Sequence, residues 1–404
     1  MRQLQAWHDT ESGRHAVRYQ ITADAGEKAD AQKAVELLRA AGVGIDLHLC
    51  DSAGKVHACN AGLDGAAPWD GMVLASDDFI PELFGWDDCI AGAMAWNHPA
   101  MDGVLHFHDG YMGGRRLMTL PILGMNFFRR FGYVYHPRYR SFFCDNELTE
   151  VAQRMGKYAW IDLVLARHAH GGASGDAVYA ANQRHHADDR LLFARRRTAG
   201  FDLKMADLSI LIPTLWCRRQ SAAQLLTEIY RQIWALPDPS RVEVQTLLDQ
   251  QEWTVGQKRN ALLRTARGRY VCFVDDDDTL AADYAASLLS AIDAAPEADA
   301  VVFRGQYYVD GEAALAFDFD LKYRAYRNTS VLYERTPNHL CPVKRQLSLQ
   351  ARFDESNCGE DIAYAKRLRP LLRTQAICRD ARGDKKLLYH YRFSPSGTMT
   401  QRRV

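Results

Sequence analysis

Residues 260–278 read NALLRTARGRYVCFVDDDD, and residues 60–78 read NAGLDGAAPWDGMVLASDD. Both stretches begin with the pattern N-A-x-L-x-x-A, continue into an apolar run and end in aspartates. In each copy the first asparagine lies 17 residues before an aspartate, Asp77 or Asp277. The repetition of residue types at one spacing predicts two copies of one domain, in each of which a buried strand ends in a metal-binding acidic cluster.

The bulk composition is that of a globular protein with two or three domains. Of 404 residues, 47% are apolar and 25% are charged. The formal net charge is zero, so no overall basic field favours nonspecific binding to nucleic acid or to an anionic membrane. Nine cysteines without a C-x-x-C pair indicate reduced thiols and a cytoplasmic location. We expect neither a signal peptide nor a membrane-spanning segment, because no apolar run approaches about 18 residues.

The two halves share one order of predicted elements. We predict strand, helix and strand at 17–21, 29–41 and 45–49 in the first half, and at 208–212, 220–235 and 242–248 in the second. This alternation predicts the α/β class, with a mostly parallel central sheet flanked by helices in each half.

A polar stretch rich in arginine and histidine, residues 185–207, is the predicted connector, so we place the domains at 1–203 and 204–404. The first half begins only about 16 residues before its first strand. Two interpretations stay open: its domain is trimmed at the start, or its strands are numbered one element off.

Parallel sheets bind ligands at the carboxyl ends of their strands. Four adjacent aspartates at such an end repel one another unless a cation neutralises them, and Mg²⁺ or Mn²⁺ prefers carboxylate oxygens and shares them with phosphates. The alternative is a solvated acidic turn. The polar residues predicted at strand ends are Asp24, Asp51 and Asp77 in the first half, and Thr214, Asp249 and Asp275 to Asp278 in the second.

Two further patterns occur in both halves. An acidic pair precedes a predicted helix, as Glu360-Asp361 and as Asp145 with Glu147, and it either caps the helix or supplies a general base. A histidine lies seven residues before a glycine, as His168 before Gly175 and His390 before Gly397. These histidines are either structural or complete a metal shell.

Several of these segments resemble family-two glycosyltransferases of the GT-A fold. The resemblance rests on LSILIPT at 208–214, on GQKRN at 256–260 with YVCFVDDDD at 270–278, on Glu360-Asp361 and on His390, and it covers 206–404. The first half is similar but looser, with ASDD at 75–78. Residues 131–152 also resemble the acceptor-side half of bacterial and phage members.

The resemblance implies two GT-A domains and a role for each marked residue. Donor contacts would come from Thr214, Asp249, Lys258, Arg259 and Asp275, and from Asp24 or Asp51 in the first half. Lys344 either contacts donor phosphates or lies on a surface turn. Metal ligands would be Asp277, Asp278 and His390, and in the first half Asp77, Asp78 and His168. Asp361, with Glu360, would be the base, and Asp145 or Glu147 would serve in the first half, where alignment on the cysteines pairs Glu147 with Asp361.

The function implied is inverting sugar transfer from a nucleotide-diphosphate sugar, first of all a UDP-sugar, to an acceptor hydroxyl, with Mn²⁺ or Mg²⁺ and one site per half. The alternative is that one half is a degenerate glycan- or polymer-binding module that serves the other. The acceptor is a surface saccharide, a lipid-linked saccharide or a hydroxymethylated base of phage DNA, and a homo-oligomer is left open. The basic surface for DNA would be formed by Arg184, Arg195, Arg196, Arg197 and Lys204.

Overall fold

The computed structural model describes residues 2–50, 54–63, 69–76, 78–110, 116–169 and 182–393. The chain forms two compact units, Met1–Leu203 and Lys204–Val404. Two predicted site residues, Asp51 and Asp77, lie outside the described residues, as do Gly175 and Gly397. For Asp24 only the backbone is described, at the end of the first strand.

The first unit is built from short strands and amphipathic helices. Its strands are β1 (Tyr19–Asp24), β2 (Ile45–Cys50), β3 (Gly71–Val73), β4 (Phe79–Pro81), β5 (Val104–His108), β6 (Ile122–Gly124), β7 (Tyr158–Val164) and β8 (Ala166–His168). Its helices are α1 (Arg2–Asp9), α2 (Lys28–Ala40), α3 (Lys55–Asn60), α4 (Trp86–Asn97), α5 (Met125–Phe131), α6 (Cys144–Arg154) and α7 (His186–Thr198).

The expected mostly parallel central sheet is wrong for the first unit. Strands β1 and β2 form a parallel pair of their own, and the larger sheet has the order β3-β6-β5-β7. Two of its three pairings are antiparallel, and only β5 and β7 are parallel. Within the described residues no pairing joins β1 to β3, so the predicted continuous sheet is divided.

The second unit has a larger set of elements. Its strands are β9 (Leu208–Leu215), β10 (Val242–Asp249), β11 (Tyr270–Phe273), β12 (Thr279–Leu280), β13 (Ala300–Val302), β14 (Arg304–Val309), β15 (Glu312–Phe319), β16 (Arg327–Asn328), β17 (Tyr333–Arg335), β18 (Val343–Lys344), β19 (Gln375–Ile377) and β20 (Leu387–Phe393). Its helices are α8 (Arg219–Trp234), α9 (Val255–Thr265), α10 (Tyr284–Ala294), α11 (Arg345–Ala351) and α12 (Glu360–Leu368).

Two six-stranded sheets organise the second unit. The central one has the order β10-β9-β11-β18-β13-β19, and only β18 runs antiparallel to its neighbours. The other has the order β12-β20-β14-β15-β17-β16. Every residue of β9 is buried, as an almost entirely apolar strand at the centre of a covered sheet requires. Pro213 is tolerated there because β11 pairs with β9 only as far as Leu211, so no neighbour on that side needs the missing N–H.

The two units repeat one arrangement of pairings. In β3-β6-β5-β7 and in β11-β18-β13-β19, the successive pairs are antiparallel, antiparallel and parallel. The short antiparallel pairs also correspond, because β4 places Phe79 opposite His168 and β12 places Thr279 opposite His390. The repeated sequence pattern therefore coincides with a repeated topology.

The repeated asparagine makes the same contacts in both units. Asn60 Nδ2 donates to the Tyr135 carbonyl at 2.6 Å, and its Oδ1 accepts from the Tyr135 N–H at 3.1 Å. Asn260 Nδ2 donates to the Phe353 carbonyl at 2.8 Å, and its Oδ1 accepts from the Phe353 N–H at 3.0 Å. Each asparagine thus fixes the helix that it ends or occupies, α3 or α9, to a later loop.

Two sequence expectations concern the whole chain. No helix in the part of the chain that the structure describes is long and apolar enough to cross a membrane. All nine cysteines are free thiols, and no disulfide framework holds the fold.

Candidate active site

The four aspartates that follow β11 have four different environments, and the first lies beside Arg259 and His339. Asp275 is partly exposed and accepts from Arg259 Nη2 at 2.8 Å, while His339 Nε2 lies 3.8 Å from its other oxygen. Burial alone would raise the pKa of Asp275, but Arg259 and His339 outweigh it and hold the pKa well below its ordinary range. Asp275 is therefore ionised at neutral pH.

Asp276 and Asp277 share one guanidinium. Arg218 Nη2 lies 3.0 Å from Asp276 and also contacts Asp277. Asp276 is buried and accepts from the Thr214 hydroxyl at 2.6 Å. Burial raises its pKa to about 6, against the opposing effects of Arg218 and Thr214. Burial also raises the pKa of Asp277, which keeps a third of its side chain exposed.

Asp278 faces strand β20 and is buried. Its Oδ2 accepts from the Tyr389 hydroxyl at 2.7 Å, and its Oδ1 accepts from the Arg392 N–H at 2.7 Å. Burial and the neighbouring carboxylates Asp275 and Asp277 raise its pKa well above the ordinary value. Both oxygens of Asp278 are thus engaged within the protein, and its metal role stays a prediction.

Arg259 joins the acidic cluster to the start of α12. Its Nη1 donates to Glu360 at 2.6 Å while Nη2 holds Asp275, and its guanidinium lies over the rings of Phe273 and Phe353. Both Arg259 and Glu360 are buried. Arg259 and Glu360 therefore neutralise each other below the surface. A nucleotide contact of Arg259 and a catalytic role of Glu360 stay predictions.

Lys258 is buried in the same way and binds the ends of two strands together. Its ammonium donates to the Thr214 carbonyl at 2.9 Å and to Asp249 at 2.5 Å. Asp249 also accepts from the Trp253 N–H at 2.8 Å. Lys258 therefore has two partners within the protein, and its contact with a nucleotide stays a prediction. A carboxylate has about four acceptor positions, so Asp249 keeps capacity for one more donor, such as a base N–H.

Asp361 is the carboxylate at this rim for which the described residues provide no partner. The helix α12 begins after Gly359, whose φ of +76° turns the chain sharply before the acidic pair. Asp361 is partly exposed, and it makes no hydrogen bond or ion pair with any described residue. Its charge acts on Arg259 and on Tyr326, which places it beside the cluster. A free carboxylate in this position can accept a proton from a substrate.

Two other predicted site residues lie elsewhere. Lys344 pairs with Tyr270 at the beginning of β11, whereas the aspartates follow its end, and its ammonium binds Glu297. This position favours the alternative in which Lys344 does not contact the donor, and the phosphate contact stays an untested prediction. His390 lies on β20, and its Nδ1 is 3.4 Å from the Tyr308 hydroxyl. It directly follows Tyr389, which donates to Asp278. Its role as a metal ligand stays a prediction.

No three His, Cys, Asp or Glu side chains are grouped to hold a metal within the described ranges. The carboxylates nonetheless fit a cation that is also bound by substrate phosphates. Asp276 and Asp277 already attract the Arg218 guanidinium, and the pKa of each is raised because burial leaves their charge poorly compensated. Asp277 is the one of the two with an exposed surface, and it is the residue that fits Mn²⁺ or Mg²⁺.

In the first unit, two of the predicted metal ligands contact each other. His168 Nε2 lies 2.8 Å from Asp78, and the His168 ring stacks on Phe79 with centroids 4.5 Å apart. Burial would raise the pKa of Asp78, but Ser76 and His168 lower it. The pair is thus a hydrogen-bonded contact between β4 and β8, and its metal role stays a prediction.

The start of α6 indicates which of the two predicted first-unit base residues corresponds to Asp361. Phe143, with φ of +63°, precedes this helix as Gly359 precedes α12, so Asp145 rather than Glu147 corresponds to Asp361. Glu147 is buried between Arg196 and the Tyr139 hydroxyl, at 2.8 and 2.7 Å. The cysteine alignment that paired Glu147 with Asp361 is therefore corrected.

The charged network of the second unit is missing at the corresponding first-unit positions. Counted from the shared asparagine, Lys258 and Arg259 correspond to Ala58 and Cys59. Counted the same way, Asp275 corresponds to Ala75. The two units therefore share a frame but not the side chains that organise the acidic rim.

Sequence reasoning missed three residues of this site: Arg218, His339 and Tyr389. Arg218 follows the end of β9 in a 3₁₀ turn, and a cation just beyond a predicted strand end was a usable signal. His339 lies in the segment 338–344, which is predicted to border the pocket through Lys344, but nothing in its sequence singles out His339 as the neighbour of Asp275. Tyr389 gives no signal, because its contact with Asp278 spans 111 residues.

We expect the substitution Asp276→Asn to remove a pH-dependent loss of stability. A carboxyl with a folded pKa of about 6 and an unfolded pKa near 4 favours folding when protonated, so its contribution is full below pH 4 and is lost as pH rises to 6. Relative to the wild type, the variant should gain about 2–3 kcal/mol across this window. Urea denaturation in metal-free buffer at pH 4 to 7 measures the difference. A pH-independent difference would contradict the assignment.

Comparison with known proteins gives one family match. Residues 235–339 match the model of glycosyl transferase family 2, and they include α9, β11 and the four aspartates. No curated protein matches the chain.

Among solved structures, 71 chains match. S. aureus TarS 1–349 in complex with UDP-GlcNAc has 15% identity and a TM-score of 0.33, over 46% of this chain and 58% of that one. The complex of the same TarS fragment with UDP has 16% identity and a TM-score of 0.33, over 47% of this chain and 61% of that one. The chain thus spans less than two thirds of these relatives, and TM-scores of this size carry no argument. The family match is confined to residues 235–339, which form part of the second unit.

Proposed function

We propose that the second unit transfers a sugar from a nucleotide-diphosphate donor to an acceptor hydroxyl with inversion at the anomeric carbon. The observation that supports this most is the position of Asp361, a carboxylate free of described protein partners beside Arg259, which in turn holds Asp275 of the acidic cluster. A base and a donor-binding rim are thus linked through one buried arginine. The family match over 235–339 covers the rim and ends before the base.

In the proposed reaction, Asp361 takes the proton of the acceptor hydroxyl as that oxygen attacks the anomeric carbon from the face opposite the diphosphate. The bond between the anomeric carbon and the diphosphate oxygen breaks, and the nucleoside diphosphate leaves. Asp249 and Asp275 contact the nucleoside. A divalent ion held by Asp277 and the donor phosphates would supply charge neutralisation at the leaving group.

The first test is nucleotide release by the purified full chain in the presence of Mn²⁺. UDP-, GDP- and dTDP-sugars are supplied one at a time, with UDP-sugars first. Release that needs Asp361 and a divalent ion is the expected result. If no donor in the panel releases nucleotide or shifts the melting temperature with Mn²⁺, sugar transfer by this unit is wrong.

We expect Asp277→Asn to lower turnover about 100-fold and to remove its dependence on Mn²⁺, because it takes away the exposed carboxylate of the cluster. The matched first-unit substitution, Asp78→Asn, should leave turnover within about twofold, since Asp78 is engaged with His168. Nucleotide release over a range of Mn²⁺ concentrations measures both. Equal losses in the two variants would instead indicate two active sites.

The structure favours the alternative in which the first unit is a degenerate module. Its frame repeats that of the second unit, but Ala58, Cys59 and Ala75 replace the lysine, arginine and aspartate of the charged network. The cation near the first-unit acids is instead Lys55, whose charge acts on Asp145 and Asp78, so the ionic arrangement there differs from that of the second unit. We therefore propose one catalytic site, and a binding role for the first unit.

The contacts of the basic residues argue against the hypothesis that DNA is the acceptor. Arg196 is buried against Glu147, and Arg197 is paired with Glu150. Lys204 is paired with Asp238. Residues that already neutralise the protein's own acids contribute little to a basic surface for phosphates. A saccharide, free or lipid-linked, is the acceptor that we propose.

A further inference from the structure

A row of aromatic rings continues from the acidic cluster along one face of the second sheet. Side chains alternate along β20, so Tyr389, Tyr391 and Phe393 share a face. Tyr389 is buried and donates to Asp278. Tyr391 and Phe393 lie farther along the strand and are partly exposed.

Neighbouring strands extend the row into a cluster of four rings. Tyr307 of β14 lies opposite Tyr391 in the parallel register, and their rings stack with centroids 5.1 Å apart and an interplanar angle of 11°. Phe393 also stacks on Tyr307, with ring centroids 6.2 Å apart. Tyr333 of β17 contacts Tyr307 edge-on, with centroids 5.8 Å apart. We call Tyr307, Tyr333, Tyr391 and Phe393 the aromatic platform.

The hydroxyl groups of the platform have spare hydrogen-bonding capacity. Those of Tyr307, Tyr333 and Tyr391 have no hydrogen-bond partner in the described part of the second unit. By contrast, the tyrosines beside the platform are engaged, because Tyr389 bonds Asp278 and Tyr326 accepts from Asn338. Partly exposed rings with free hydroxyls can both stack on a ligand and donate to it.

The platform extends from the acidic cluster towards the proposed base. At one end, burial and the charge of Asp278 raise the pKa of Tyr391. At the other, the Arg335 guanidinium lies over the rings of both Tyr333 and Tyr326, at 5.1 and 4.9 Å. Burial raises the pKa of Tyr326, and the charge of nearby Asp361 raises it further.

We propose that the aromatic platform binds the sugar rings of a neutral saccharide acceptor. The C–H face of a sugar is apolar and stacks on tyrosine rings, while its hydroxyls bond to the free phenol groups. Single-stranded nucleic acid also stacks on aromatic rings, but it needs a positively charged groove along its backbone. On this platform, the negative charges of Asp278, Asp275 and Asp277 act on Tyr391. The inference names the acceptor class of the proposed transfer reaction and rests on it, although binding can be measured without turnover.

Binding is tested with the full chain and defined probes. Maltotriose, cellotriose and chitotriose are titrated by saturation-transfer NMR, and a single-stranded oligodeoxynucleotide is titrated in parallel. At least one trisaccharide should bind the wild type, and Tyr391→Leu or Tyr307→Leu should weaken it about 5- to 20-fold. Tyr391→Phe keeps the ring and removes only the hydroxyl, so it provides the test if the leucine variant does not fold. It should weaken binding about 2- to 5-fold.

A control replaces an exposed ring outside the platform. Phe84 of the first unit is 73% exposed, and Phe84→Leu should leave trisaccharide binding unchanged. The inference is overturned if no trisaccharide binds the wild type, if the platform variants bind as the wild type does, or if only the oligonucleotide binds and depends on Tyr391. Platform-dependent trisaccharide binding without nucleotide release from any donor would support the platform and overturn the transfer reaction instead.

Discussion

Replacement of Asp361 by asparagine is expected to lower the rate of sugar transfer by about 10²- to 10⁴-fold, the range that a positioned general base contributes. The carboxylate makes no hydrogen bond or ion pair with a described residue, so the substitution breaks no protein contact there. The loss should therefore appear in kcat and leave the binding of UDP with Mn²⁺ nearly unchanged. Steady-state transfer assays and calorimetric titration with UDP measure the two quantities.

The first unit offers the matched control for this experiment. Asp145 lies at the same position after a residue with positive φ, at the start of α6. If the first unit is not catalytic, Asp145→Asn should change turnover by less than about twofold. A transfer rate in Asp361→Asn close to that of the wild type would exclude Asp361 as the base, and a large loss in Asp145→Asn would point to a second active site.

Replacement of Arg259 by leucine is expected to destabilise the second unit by about 3–5 kcal/mol, because it leaves the buried Glu360 without its partner and Asp275 without its closest cation. Activity should be lost as well, since Asp275 would no longer be held ionised at the rim. The free energy of unfolding from urea denaturation at pH 7 measures the effect.

Two variants make the interpretation specific. Cys59 is the first-unit counterpart of Arg259, and Cys59→Ala should cost only about 1 kcal/mol. Adding Glu360→Gln to Arg259→Leu removes one uncompensated charge and should recover part of the stability, though not the activity. If the single substitutions Arg259→Leu and Cys59→Ala were equally mild, the ion-pair bridge would not be a major source of stability.

The strand and helix pattern could be predicted because it depends on neighbouring residues. The apolar run of β11, the capping box at Thr254 before α9 and the acids that open α12 all lie within short windows of sequence. The position of the acidic cluster at a strand end follows from the same local pattern. The division of the first-unit strands into separate sheets could not be predicted in this way, since the separation of β1 from β3 depends on packing across the unit.

The individual roles of the four aspartates could not be predicted. Four identical side chains in a row differ only through their partners, and those partners come from distant parts of the chain. Arg259 is 16 residues from Asp275, and Tyr389 is 111 residues from Asp278. The burial of Lys258 could not be predicted either, because the GQKRN pattern shows two cations but not the acids that neutralise them. Long-range pairing decides which charge faces a ligand.

The asparagine contacts described for both units involve only backbone atoms of the facing loop. Since every amino acid offers the same carbonyl, and all but proline the same N–H, the side chains of that loop are free to vary without loosening the joint. Structural integrity and reactivity are thereby decoupled within one repeat. A repeated unit can lack the ionic network, as Ala58 and Cys59 illustrate, and still keep a framework that is able to serve a different function.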